Sequence, residues 1–229
     1  MLILIDARAD DAAKETLRSF GKVVEFITQD IVYPAISGHP DLFFCQAGKE
    51  VIAAPNTPKF YLKTLENEGI VCRPGYSNVG AEYPWTAGYN CVISDNVLIH
   101  RGDITDRAIL DFWGSGKIID VQQGYTRCNL LPVGGGRFIT SDRGIEKSLN
   151  VAGFDVLYIS PEGVALDGFP HGFIGGAMGR YGNRVFIAGS PESIPEGETL
   201  RRFILDAGNE LCEINGGAIR DLGGILFLE

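Results

Sequence analysis

A chain of 229 residues, 45% hydrophobic and 21% charged, has the make-up of an ordinary globular protein able to bury one sizeable core. Its net charge of −9 argues against a surface that tracks phosphates, so no nucleic-acid partner is expected. No apolar run approaches the roughly 20 residues that span a bilayer. The opening Met1–Asp6 is too short for a signal segment and lacks basic residues, so a cytoplasmic protein without membrane contact is expected.

The first apolar stretch, Leu2–Ile5, has no obvious partner; it pairs beside the terminal strand or replaces part of it. Residues 10–21 (DDAAKETLRSFG) have amphipathic helical spacing, and 22–27 (KVVEFI) read as a strand. A long connection, 30–40, leads to a hairpin in 41–57, after which Thr57 can cap a helix that has Pro58 at its first position and stops at Gly69. A second long connection, 73–87, precedes a hairpin in 89–103, a helix in 103–114 and a strand in 117–121. Next come a hairpin in 128–140, a helix in 143–153 and a strand in 155–160, then a hairpin in 172–192, a helix in 196–208 and a strand in 210–214. The last stretch, 217–229, reads as a hairpin turning at Gly223–Gly224. Asp103, Asp106 and Asp142 suit helix starts.

The strand–strand–helix–strand order recurs five times at a spacing of roughly 40–50 residues, typical of repeat architectures. The fifth copy has no helix after its hairpin; the helix and strand of 10–27 supply it. Chain ends that complete one unit between them predict a single domain over 1–229, a five-bladed β/α-propeller closed by its termini, because closure removes sheet edges. Gly134, Gly135 and Gly136 hold a hairpin-turn position; a strand follows them, whereas a phosphate cradle needs a helix N-terminus. Glycines 172, 175, 176 and 179 lack the helix of a dinucleotide site for the same reason. Gly175 and Gly176 are expected to let backbone approach a ligand or neighbouring units.

Five cysteines with no CxxC spacing suggest reduced, mostly buried thiols, and three histidines show no metal-ligand spacing, so no metal and no cofactor are expected. Cys45, Cys91 and Cys128 fall in the first strands of three successive units. Small buried hydrophobes explain all three; Cys128, flanked by Arg127 and Asn129, is the best placed as a reactive thiol. Asn90 and Asn129 stand at equivalent strand starts, where they either present amides to a polar ligand or satisfy turn backbone.

This repeat order, with the stretches QGYTRCN, ITSDRGI and GFIGGAMG, resembles the pentein, or guanidino-group-modifying, superfamily, and within it a bacterial subfamily. That superfamily includes arginine and agmatine deiminases, dimethylarginine hydrolases, amidinotransferases and a non-catalytic ribosome anti-association factor. The resemblance implies reactive groups at the start of each unit's first strand: a Cys after a Gly-Gly pair in the fifth unit, a His from another unit, often as His-x-Asp, and acidic residues for the guanidinium. Here Gly216–Gly217 is followed by Arg220 and Asp221, so a carboxylate holds the nucleophile's place. His39-Pro40-Asp41 supplies His-x-Asp, but in the first unit; His171 stands where the family's His would be sought.

The preferred expectation is a pore that binds a small guanidino- or amino-acid-like ligand without the usual Cys chemistry. Asp41, Asp221 and Glu82 would take its cationic group, Asn90 and Asn129 would orient it, and Gly175, Gly176 and Arg220 would line it. The alternative is an enzyme in which His39 or His171 is the acid–base group and Cys128, or an activated water, the nucleophile. A protein-interaction scaffold is the third. The sequence leaves the oligomeric state open.

Overall fold

The computed structural model describes residues 1–229. Five three-stranded sheets carry the fold, and all share one pairing: the first strand runs antiparallel to the second, and the second parallel to the third. A parallel pair needs a crossover, so a helix lies between second and third strands each time. In the first sheet Phe44–Ala47, Glu50–Ala53 and Val71–Pro74 enclose the helix Lys59–Asn67. The second sheet is Val92–Ser94, Val97–His100 and Lys117–Asp120 with helix Arg107–Trp113. The third is Leu130–Gly134, Arg137–Thr140 and Asp155–Tyr158 with Arg143–Val151. The fourth is Met178–Tyr181, Arg184–Ile187 and Glu210–Glu213 with Gly197–Asp206.

The fifth sheet joins distant parts of the chain. Leu226–Leu228 pairs antiparallel with Leu2–Asp6, which pairs parallel with Lys22–Phe26, and Asp11–Arg18 is the crossover helix. Leu2–Ile5 is therefore a middle strand, buried on both faces, which is why it reads as an unbroken apolar run. The expected terminal hairpin at Gly223–Gly224 does not form. Ile219–Arg220 instead pairs in parallel with Val164–Ala165, a separate two-stranded ladder.

Each helix docks one stripe: Ala13 and Leu17, Ile145 and Leu149, Leu200 and Ile204 are buried. Each such Leu or Ile contributes roughly 1.5–3 kcal/mol by leaving water. Asp10, Asp106 and Asp142 cap their helices by accepting the amides of Ala13, Ala108 and Ile145, each worth about 1 kcal/mol. Asp106 also accepts from the amides of Tyr76 and Ser77, which ties the 73–87 connection to a helix start. Two expected caps are not used: Asp103 pairs with Arg101, and the buried Thr57 hydroxyl has no partner because the helix begins after Pro58.

The Gly134–Gly136 run forms the expected turn, all three residues at φ between 64° and 89°. Two strand starts differ from expectation. Thr126–Asn129 is a single helical turn before the strand at Leu130, and Gly175–Ala177 is a tight 3-10 turn before Met178. Of the three cysteines assigned to first strands, only Cys45 lies within one; Cys91 and Cys128 sit in the segments leading in. The first strands of consecutive sheets pack side by side, and Gln46 of the first sheet donates to the Phe227 carbonyl of the fifth at 2.8 Å.

Candidate active site

The segments leading into the five first strands meet one another through hydrogen bonds. The Asp41 amide donates to the Gly223 carbonyl at 3.3 Å, and Asn90 Nδ2 donates to the Asp41 carbonyl at 3.2 Å. The Arg127 amide donates to the Asn90 carbonyl at 2.9 Å, and Arg127 Nη1 donates to the Gly175 carbonyl at 2.7 Å. The Leu222 amide then donates to the Gly176 carbonyl at 3.0 Å, so the fifth segment is joined to the fourth and, through Gly223, to the first. Inside a low-dielectric core such a network fixes its members closely.

Three side chains form its centre. Cys128 Sγ donates to Asp41 Oδ2 at 2.9 Å, while Asn90 donates to the same sulfur at 3.4 Å and accepts the Cys128 amide at 3.1 Å. Asp41 is wholly buried; burial pushes its carboxyl up to about 6, against the pull of Arg127 and the Cys128 and Asn90 hydrogen bonds. Burial, reinforced by the charges of Asp41 and Asp221, holds the Cys128 thiol well above its ordinary value. The thiol is therefore protonated at neutral pH. Asp41 Oδ1 is buried without a partner.

His39 lies on the other side of the same centre. Its ring is buried, neither nitrogen has a hydrogen-bond partner, and Nε2 is 3.9 Å from Asp221 Oδ1 and 4.0 Å from Asp6 Oδ2. Burial lowers its pKa more than the two carboxylates raise it, which leaves a neutral imidazole. Asp221 accepts the amides of Phe173 and Gly223, both at 2.9 Å, yet burial still raises its pKa. Two close approaches need glycine. A Cβ on Gly223 (φ 65°) would lie 2.3 Å from His39 Cβ, and one on Gly176 would lie 1.9 Å from Asp221 Oδ1.

The charges do not balance. Arg127 is buried with its guanidinium on the carbonyls of Gly175 and Met178, and Asp6 is matched by Arg8. Asp41 and Asp221, when ionised, thus face one buried cation between them. The donor atoms of His39, Asp41 and Cys128 lie within 4.8 Å of one another, so this trio could also hold a metal ion, a grouping the sequence spacing did not reveal.

A cavity of about 250 Å³ opens onto this cluster, with His39, Cys128 and Asp221 at its base. Its walls include Tyr33, Tyr125, Leu166, Phe169 and Phe173, and His171 is on its lining with Nδ1 donating to the Gly172 carbonyl at 3.0 Å. The other residues singled out in the sequence are elsewhere. Asn129 donates to the Tyr125 carbonyl and accepts from Ser141, which is the turn-satisfying role. Glu82 is exposed and outside the cavity lining. Arg220 is on the surface, paired with Asp167 at 2.9 Å. Gly175 and Gly176 offer carbonyls to Arg127, Leu222 and Gly224, so their place is at the junction of units and not on the cavity wall. Sequence reasoning missed Asp6 and left Arg127 as a mere flank. The signals were a carboxylate closing an apolar strand and an arginine beside a candidate thiol.

A family model described as "Family of unknown function (DUF6873)" matches residues 4–226. No curated protein matches the chain in sequence. Among solved structures, C. jejuni agmatine deiminase is similar at a TM-score of 0.58 and 8% identity, over 93% of this chain and 86% of that one. DDAH from Pseudomonas aeruginosa, a mutant complexed with citrulline, is similar at 0.53 and 10%, over 91% and 82%. The inosamine-phosphate amidinotransferase from Streptomyces griseus is similar at 0.53 and 13%, over 95% and 79%. No helix of the chain is long and apolar enough to cross a membrane.

Proposed function

The chain has the fold of the pentein, or guanidino-group-modifying, superfamily and belongs to DUF6873, a family of unknown function; from that premise we propose that its cavity binds a small guanidinium or amidinium cation whose amidino carbon is attacked by the Cys128 thiol. One observation carries this: a thiol, an unpartnered imidazole and the Asp221 carboxylate line one cavity, with the buried Asp41 carboxylate hydrogen-bonded behind the thiol. The five sheets are then blades of a propeller closed by the termini. The side-by-side first strands and the hydrogen-bonded circuit through all five lead-in segments support that closure.

Asp41 and Asp221 leave one negative charge uncompensated beside Arg127, and an unpaired buried charge is costly. A monocation completes the balance. Its planar N–H groups meet the Asp221 carboxylate on the cavity lining, and its charge offsets both carboxylates that hold the thiol protonated, Asp41 from behind Cys128. The thiol proton passes to His39 as sulfur bonds to the amidino carbon and the C=N electron pair moves to nitrogen. His39 returns the proton to the leaving nitrogen, which departs as ammonia or an amine with the C–N electrons. Water then adds to the carbon, His39 takes its proton, and the C–S bond breaks to restore the thiol. Guanidino group and water give ureido group and amine.

The sequence-based preference for binding alone rested on the acidic groups expected in the pore and on the missing fifth-unit cysteine; Cys128, from the third unit, lines the same cavity as Asp221. Binding without turnover is the second reading, and the high thiol pKa of the free protein favours it. Assaying alkyl- and arylguanidines for ammonia and ureido product separates the two. Cys128→Ser is expected to abolish turnover and keep binding, whereas Asp221→Asn loses both. Turnover that survives in Cys128→Ser would refute the thiol mechanism.

A further inference from the structure

Resting on the cation-binding reading above, we infer that the ligand carries an apolar substituent free of carboxylate: an alkyl- or arylguanidine or amidine, and not a guanidino acid. Above the polar base the cavity wall is mostly apolar and carries no cation. Tyr33, Tyr125, Leu166, Phe169 and Phe173 supply it, and no lysine or arginine is among the lining residues. The Tyr33 and Phe169 rings lie 5.7 Å apart, and Phe169 is held 47% exposed, an apolar ring kept at an open position. Such rings suit an alkyl or aryl group and the delocalised cation attached to it.

A carboxylate on the ligand would meet no cation: the wall offers only the neutral Tyr33 and Tyr125 hydroxyls, and Tyr125 is already engaged with Thr86 at 2.6 Å. The arginines of neighbouring segments are engaged: Arg8 binds Asp6 and the carbonyls of Pro34 and Ala35, Arg220 binds Asp167, and Arg127 is turned onto backbone carbonyls. His171 spends its Nδ1 proton on the Gly172 carbonyl. A guanidino acid would bring a third carboxylate toward Asp41 and Asp221 with no compensating cation, which costs far more than its methylenes return. Each buried methylene of an apolar tail, by contrast, tightens binding about fourfold. The cavity of about 250 Å³ is at the small end for ligand sites and admits one ring or a short chain.

The test is a matched pair: butylguanidine and 4-guanidinobutyrate, which differ by a methyl group in place of the carboxylate. Isothermal titration of the full chain is run alongside guanidinium chloride and benzylguanidine. Butylguanidine is expected to bind at least about 30-fold more tightly than 4-guanidinobutyrate, and benzylguanidine more tightly than guanidinium. Phe169→Ala should weaken benzylguanidine about tenfold and leave guanidinium unchanged, and Phe169→Arg should narrow the gap for 4-guanidinobutyrate. Equal or tighter binding of 4-guanidinobutyrate, lost in Asp221→Asn, overturns the inference while the cation site stands. Failure of all four compounds to bind removes the cation site and this inference with it.

Discussion

The Cys128 thiol donates a hydrogen bond to one oxygen of Asp41 across 2.9 Å, and the other oxygen of Asp41 is buried with no partner. One carboxylate thus holds a nucleophile in its dormant form with one hand and keeps a strong acceptor free with the other. A cation in the adjoining cavity that offsets this charge changes the balance at sulfur without touching it, which links ligand recognition to thiol activation.

Ligand affinity is expected to depend on pH through Asp41, whose carboxyl titrates at about 6 in the free protein. A bound cation favours the ionised form, so each unit below that value should weaken binding by up to tenfold, and binding should release a proton. Titrations between about pH 5 and 8 in buffers of different ionisation enthalpy measure both quantities. A dissociation constant that is flat across this range in the wild type would contradict the assignment; Asp41→Asn should show a weaker dependence, the part that Asp221 contributes.

Cys128 should react slowly with iodoacetamide at neutral pH, with a rate still rising beyond about pH 9, because burial and two carboxylates keep it protonated. Asp41→Asn removes one of those charges and should speed the reaction at a given pH. Peptide mapping distinguishes this cysteine from the exposed-side Cys72 and Cys212, whose thiols are also raised by burial. A fast plateau near neutrality would mean that the thiol is already activated in the free protein.

His100 is a separate and purely structural imidazole, buried, with Nε2 donating to the Gly124 carbonyl and Nδ1 on the Thr105 hydroxyl. Burial lowers its pKa to about 4, below its unfolded value of 6.5. The unfolded chain therefore takes up a proton first as the solution is acidified. Its contribution is intact above about pH 6.5 and is lost toward 4, about 2 kcal/mol between pH 7 and 5. Urea unfolding at the two values measures the sum over all groups. The ring proton shifts of His100 isolate its share and should stay constant down to about pH 5.

Gly223→Ala should destabilise the protein by well over 1 kcal/mol and remove ligand binding, since the new methyl collides with His39 and the residue sits at φ 65°. Gly182→Ala is the control. Its φ of 58° carries a similar backbone penalty, roughly 1 kcal/mol, but nothing lies within 4 Å of the added methyl. Equal losses in the two variants would show that steric pressure on His39 is unimportant.

Local signals accounted for most of the fold. Alternating apolar runs, turn glycines such as Gly134–Gly136 and capping residues such as Asp142 each act over a few residues, so four sheets and their helices were readable. In the fifth, completion by residues 10–27 and the pairing of Leu2–Ile5 beside the terminal strand were legible, but the terminal hairpin was misread because Gly223–Gly224 looks like a turn, while the partner of Leu226–Leu228 is at the other end of the chain. His39, Asp41, Cys128 and Asp221 were singled out by type and position, yet their common meeting point depends on five segments that no local pattern connects. Asn90 and Asn129 occupy equivalent places, but only Asn90 touches the cluster. The difference is made by Ser141, which engages Asn129, and sequence position alone does not show it.

The strand pairing of Leu2 with Leu228 carries a kinetic consequence. Four sheets close over short loops, whereas this one must bring together residues more than 200 positions apart, and long-range pairings form late because their loop entropy is met before their contacts repay it. Asp6 ends one of these strands, and Asp221 and Gly223 stand just before the other, so two of the three carboxylates around His39 reach it only at that step. A refolding molecule should therefore regain most of its helical circular dichroism before it regains the ability to bind a guanidinium. Pulsed hydrogen exchange should show protection at Leu2–Asp6 lagging behind Phe44–Ala53. The pocket would be the last thing this chain learns to make.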